Sequence, residues 1–164
     1  AIAAIAALDH ADVERVAILD FDVHHGNGTV DICRDHPHIL VCSSFQSPYY
    51  PNRLDDLVQP NIVNTPLAAG SSGSTFRAAV ERDWLPALEA HQPDIVFVSA
   101  GFDAHVDDPL ADLRLVEEDY RWVTQFIVAV ANQYAQGRVV STLEGGYDLD
   151  ALARSVTAHI EALA

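Results

Sequence analysis

Four short runs of aliphatic residues punctuate the chain: Arg15 to Val23 (RVAILDFDV), His38 to Ser44 (HILVCSS), Asp94 to Gly101 (DIVFVSAG) and Arg138 to Glu144 (RVVSTLE). None alternates apolar with polar positions, so each reads as a parallel strand covered on both faces. Between and after them the apolar period lengthens to that of a helix. The opening AIAAIAALDH reads as helix, Ser74 is expected to cap a helix running to His91 with an interruption near Pro86, and Glu117 to Gln136 is amphipathic and stops at Gly137. Asp148 is placed to cap a last helix, LDALARSVTAHIEAL. Strands alternating with helices predict an α/β fold, a three-layer and mostly parallel sheet with helices on both faces. The segment Gln46 to Gly73, rich in Pro, Asn, Ser and Gly, breaks this rhythm, and its aromatic start, SPYYP, predicts an ordered functional loop.

At 164 residues the chain suits a single domain over 1–164, and it has no internal repeat that would suggest a solenoid. It contains no methionine, and its first residues read as the middle of an alanine-rich helix. The expectation is therefore a portion of a longer chain, truncated at the N-terminus. All nine basic residues are arginine, which excludes a Schiff-base or P-loop lysine. With 24 acidic residues the formal charge is −15, opposite to the footprint of a nucleic-acid binder, so no direct nucleic-acid contact is expected. No apolar run approaches the roughly 20 residues that span a bilayer, and no membrane partner is expected. Cys33 and Cys42 lie in or beside apolar stretches, which fits a reducing, cytoplasmic setting better than a disulfide framework. A truncated sheet would leave apolar surface open, so self-association is a further expectation.

Chemistry collects where such a sheet binds ligands, beyond the C-terminal ends of its strands. The first strand runs into Asp20-Phe21-Asp22-Val23-His24-His25-Gly26-Asn27-Gly28, and strand alternation would turn Asp20, Asp22 and His24 to one side and His25 away. The third ends in Ser99-Ala100-Gly101-Phe102-Asp103-Ala104-His105. If these two strands are neighbours, Asp103 meets Asp22 and His24. Two carboxylates and one imidazole with an open fourth position form the pattern of catalytic Zn2+, and the same set suits Fe2+ or Co2+. The fourth strand ends in Leu143-Glu144-Gly145-Gly146-Tyr147-Asp148, whose glycines allow close backbone approach and would bring the Tyr147 phenol to the same crevice as an oxyanion donor. The reaction this predicts is metal-assisted hydrolysis of an amide. Alone, a DxD is usually a cap and a GGY usually a turn. Their appearance together at successive strand ends favours chemistry. His10, His36, His38, His91 and His159 read as surface or packing residues, and His105 as a loop or supporting residue.

DFDVHHGNGT (Asp20 to Thr29), VSAGFDAHVDDPL (Val98 to Leu110) and LEGGYDL (Leu143 to Leu149) together resemble the zinc-dependent histone deacetylase family, especially its class II and bacterial amidohydrolase branch. The resemblance implies an arginase-like α/β fold and hydrolysis of N-acetyl or related acyl amides, with acetyl-lysine or an acetylated polyamine as substrate. It implies Asp22, His24 and Asp103 as zinc ligands and Tyr147 as the hydroxyl that polarises the acyl carbonyl. Asp20 would orient a catalytic histidine and join a K+ site with Asp22, the His24 carbonyl, Ser43 and Ser44. Asn27 stands where class I relatives carry Asp, Tyr50 and Leu110 would wall the acyl channel, and Gly145 and Gly146 would flank the scissile group. Two departures stand out. Phe45 occupies a position where relatives usually have histidine, and no residues before Asp20 match the family's upstream PGHH-like pair of general-base histidines. The chain therefore reads as the C-terminal portion of a deacetylase catalytic domain, weak or inactive by itself. Two other readings remain open: a binuclear manganese ureohydrolase, for which HHGNG supplies no additional acidic ligand, and a non-catalytic acyl-group binding remnant.

Overall fold

The structure is a computed structural model that describes all residues from Ala1 to Ala164. The four apolar runs become strands β1 (Val16–Asp20), β2 (Ile39–Gln46), β4 (Ile95–Ala100) and β5 (Val139–Leu143). A further strand, β3 (Ile62–Leu67), lies inside the segment expected to be loop. The sheet is five-stranded and parallel throughout, in the order β3-β2-β1-β4-β5. In β3 only Ile62, Thr65 and Leu67 are buried, so an edge strand with one wet face was masked by the turn-forming residues around it. Pro66 is tolerated there because an edge strand has no second ladder to break. Asn61 anchors its start, donating from one carboxamide nitrogen to the carbonyls of Cys33, His36 and Ile39 at 3.0 to 3.1 Å.

Helices α1 (Ile2–Ala7) and α2 (Asn27–Cys33) cover one face of the sheet, and α3 (Gly73–His91), α4 (Glu117–Tyr134) and α5 (Leu149–Leu163) the other. These are the three layers expected. The sequence reading missed α2, because Gly26 and Gly28 around its start lower helix propensity and packing of Val30 and Cys33 had to supply the difference. Helix α3 runs unbroken through Pro86, with Phe76, Val80, Trp84 and Leu88 buried along its length, and Ser72 rather than Ser74 holds the cap position without a side-chain bond. Asp148 caps α5 as its sequence suggests, accepting from the Ala151 amide at 2.8 Å. Gly137, at φ +74°, closes α4 in the left-handed region that favours glycine.

The two cores are unequal: 25 buried residues form the cluster beneath α3, α4 and α5, against 9 beneath α1 and α2. On the thinner side Ile95 and Phe97 are half-buried and Val140 is exposed. Cys33 and Cys42 are both buried and free. No helix is long and apolar enough to cross a membrane.

Candidate metal centre

Because β1 lies between β2 and β4, with Asp20 opposite both Ser43 and Ser99, and β5 lies beside β4, the loops after β1, β4 and β5 open on one edge of the sheet. Strand β1 stops at Asp20, so alternation along an extended strand is not what carries the next two groups into place. Two side-chain turns do this. The Asp22 amide donates to Asp20 Oδ1 at 3.1 Å, and the His24 amide donates to Asp22 Oδ1 at 2.8 Å. His24 Nδ1 then sits 3.0 Å from Asp22 Oδ1 and 3.2 Å from Asp103 Oδ2.

Each carboxylate of this group spends one oxygen on the scaffold and turns another to the histidine. Asp103, with no exposed surface, accepts from the Val23 amide through Oδ1 at 2.9 Å, and its buried Oδ2 has no well-directed hydrogen bond. Asp22 accepts from the Gly145 amide through Oδ2 at 2.9 Å. One potential ligand atom from each of Asp22, His24 and Asp103 falls within 4.8 Å of the others, so these residues could hold a metal ion. Two hard oxygens and an imidazole nitrogen, one oxygen buried with only the His24 ring beside it, fit a divalent cation such as zinc. The glycines are steric necessities here: a Cβ on Gly145 would overlap Asp103 Oδ2, and Gly146 adopts φ +140° with Leu152 Cδ1 2.7 Å from where its Cβ would lie.

The electrostatics agree with a site built for positive charge. Hydrogen bonds to Asp103 and Asp22 raise His24 to about 10 against the opposing effect of burial. Burial works to raise Asp22, yet the bonds from His24 and the Gly145 amide outweigh it and hold that carboxyl below its ordinary value. Asp103 is raised, chiefly by burial and also by the charge of Asp22. Asp20 is raised well above the carboxylate range, first by burial and then by Asp22. Tyr147 is raised by partial desolvation and by the charges of Asp103, Asp22 and Asp108, which keeps its phenol a neutral donor.

A cavity of about 460 Å3 opens beside the triad, lined by Asp20, Asn27, Ser99, Glu144, Tyr147 and their neighbours. Asn27 opens α2 at its wall. Ser43 Oγ is buried without a partner, while Ser44 Oγ donates to the Asp20 carbonyl at 3.5 Å. Tyr50 stands edge-on to His24 with ring centres 6.2 Å apart, and Leu110 is half-exposed. His25 turns away, its Nε2 2.9 Å from Asn64 Oδ1 and its ring edge-on to Phe45, so the residue departing from the family pattern is that histidine's buried neighbour. His105 is buried against Tyr120 and accepts from the Asp107 amide through Nδ1 at 3.1 Å, within its own loop. His159 packs between Thr124 and Ser141. Sequence reasoning passed over Tyr49, whose ring lies nearer to His24 than Tyr50's, at 5.4 Å, and whose hydroxyl donates to the Leu110 carbonyl. It also passed over Asp108. The adjacent tyrosines of SPYYP and the turn-forming Asp108-Pro109 step were the available signals.

A wholly parallel α/β sheet with this Asp-His-Asp group and a glycine-tyrosine turn at its C-terminal edge defines the arginase/deacetylase class of fold. Within that class the match is to the histone deacetylase domain, over residues 1–163, and the chain belongs to this family. It is 43% identical over 166 residues to an uncharacterised protein of Synechocystis sp., covering 99% of this chain and 53% of that one. With the histone deacetylase-like amidohydrolase of Pseudomonas aeruginosa it shares 38% identity over 154 residues, covering 90% of this chain and 40% of the relative. The solved HDA15 HD domain superposes with a TM-score of 0.88 at 34% identity, over 98% of this chain and 48% of that domain. The chain thus spans about half the length of these relatives.

Proposed function

We propose that this chain carries the metal and oxyanion side of a deacetylase site that hydrolyses N-acetyl or related acyl amides, with acetyl-lysine or an acetylated polyamine as substrate. The observation that carries the reading is the convergence of Asp22, His24 and Asp103 within 4.8 Å at the strand edge where Tyr147 emerges. Those three residues would hold zinc, which supplies Lewis acidity toward an acyl carbonyl and toward water. The Tyr147 hydroxyl, kept protonated by partial desolvation and by the surrounding carboxylates, donates to the oxygen that becomes negative as the carbonyl turns tetrahedral. Gly145 and Gly146 let the backbone approach the scissile amide. Tyr50 and Leu110, with Tyr49 joined to the latter, form the wall along the acyl side chain. A potassium ion is assigned to Asp20, Asp22, the His24 carbonyl, Ser43 and Ser44, a choice supported by the unpartnered Ser43 hydroxyl.

A general base is not supplied by these residues: His25 is engaged with Asn64, and His105 and His159 are tied into their own surroundings. Turnover of an acetyl-lysine peptide by the 164 residues is expected to be lower by about 10²- to 10⁴-fold than with a positioned base. The deciding experiment is calorimetry on the zinc-loaded chain with octanohydroxamic acid and the matching carboxamide. A marked preference for the hydroxamate and one zinc per chain are expected. Equal affinity for the two would favour the non-catalytic acyl binder, and two metals per chain would favour a ureohydrolase-like centre.

A further inference from the structure

Between β4 and α4 the chain passes through Asp107-Asp108-Pro109-Leu110, and the two aspartates behave differently. Asp107 is exposed and pairs with Arg154 at 3.0 Å. Asp108 is 7% exposed and has both oxygens engaged by backbone amides. Leu110 N–H donates to Oδ1 at 3.0 Å, closing a local turn. Tyr147 N–H donates to Oδ2 at 2.8 Å, across 39 residues of sequence. Asp108's own amide donates to the His105 carbonyl at 2.9 Å, which fixes it to the loop that carries Asp103.

The tyrosine turn thus hangs from two carboxylates, Gly145 from Asp22 and Tyr147 from Asp108, with Gly146 between them at φ +140°. Such a turn is held through its backbone, the Gly145 carbonyl also accepting from the Phe102 amide at 2.8 Å, since Gly146 has no side chain and Tyr147 is 53% exposed. On the other side of Asp108, the Leu110 carbonyl receives the Tyr49 hydroxyl. One carboxylate therefore lies between the channel wall and the oxyanion donor.

We propose that Asp108 is a positioning residue that couples the acyl-channel wall at Leu110 to the Tyr147 hydroxyl, so that the two take up the substrate as one unit. The inference rests on the deacetylase reading above and adds to it a determinant of acyl-group fit. An acyl chain that displaces Leu110 also displaces the tyrosine turn.

The test is a double-mutant cycle on the zinc-loaded chain with octanohydroxamic acid as probe. Asp108→Ala is expected to weaken hydroxamate binding about 10-fold, the scale of a lost hydrogen bond to a charged acceptor. In a Tyr147→Phe background the same change is expected to cost less than about twofold, because it acts through the missing hydroxyl. Zinc affinity is expected to stay constant. Equal losses in both backgrounds, or a parallel loss of zinc affinity, overturn the proposal in favour of a merely structural role. Amide hydrogen exchange on the metal-free chain gives an independent reading. Asp108→Ala is expected to speed exchange at both Leu110 and Tyr147, Asp108→Asn at one of them, and the exposed control Asp107→Ala at neither. Unchanged exchange overturns the proposal. If the parent chain takes up neither zinc nor hydroxamate, the deacetylase reading fails and the exchange result still decides whether Asp108 couples the two loops. Should Asp108→Ala fail to fold, Asp108→Asn carries both measurements.

Discussion

A histidine whose ring nitrogen lies within 3.2 Å of two carboxylates keeps its proton until about pH 10, and a metal ion entering the same position must displace that proton. Zinc affinity is therefore expected to rise by about tenfold per pH unit over the neutral range, one proton being released per ion bound. Calorimetry in buffers of different ionisation enthalpy checks both slope and stoichiometry, and a flat profile would show that His24 is not a ligand. Asp103→Asn retains size but replaces one oxygen with a donor facing His24. Groups behind metal ligands are commonly worth about 10- to 100-fold in affinity, so loss of a ligand is expected to cost at least about 100-fold, read by competition with a zinc chelator. The convergence of Asp22, His24 and Asp103 was legible in the sequence, since each stands just past the end of one of two neighbouring strands. Asp20's depth and the roles of Tyr49 and Asp108 were not, because each depends on contacts across loops.

At the scale of elements, the apolar runs and the cap of α5 were read correctly, whereas α3 is capped at Ser72 and not at Ser74. Strand β1 needs only VAILD and α5 needs only Asp148 and its apolar face, while α4 ends at Tyr134, two residues short of the Gln136 expected before Gly137. Helix α2 and strand β3 depended on neighbours. The join between α4, β5 and α5 offers a test of buried polar packing: His159 Nδ1 lies 2.6 Å from Thr124 Oγ1 and Nε2 lies 2.8 Å from Ser141 Oγ. Burial lowers this histidine below its ordinary 6.5, so the folded state prefers the neutral ring. The unfolded chain then binds the proton more readily, and the contribution to stability is complete above pH 6.5 and declines as pH falls through and below that value. His91, also lowered chiefly by burial, acts in the same sense. His159→Gln is expected to lower Tm near neutral pH and to flatten its decline toward about pH 5, as measured by calorimetric scans. An undiminished decline would mean that other groups control acid sensitivity.

Across the whole molecule, a charge of −15 surrounds a site that gathers two carboxylates about one histidine. Such a field draws cations inward and is screened over a Debye length of about 10 Å at 0.1 M salt. Zinc uptake followed by stopped flow is expected to slow as sodium chloride is raised, with little change when a neutral osmolyte replaces the salt. An association rate independent of ionic strength would assign the acidity to solubility alone. By itself the sequence determined the α/β class, most of the strands, the cap of α5 and the four residues with the strongest chemistry, because patterning, caps and motifs are local properties of a chain. Tertiary structure decided the rest: β3 at the sheet edge, the side-chain turns that present His24, and the Asp108 contacts with the Leu110 and Tyr147 amides. These arise where distant segments meet, and the energy of such contacts is written in no single stretch of sequence.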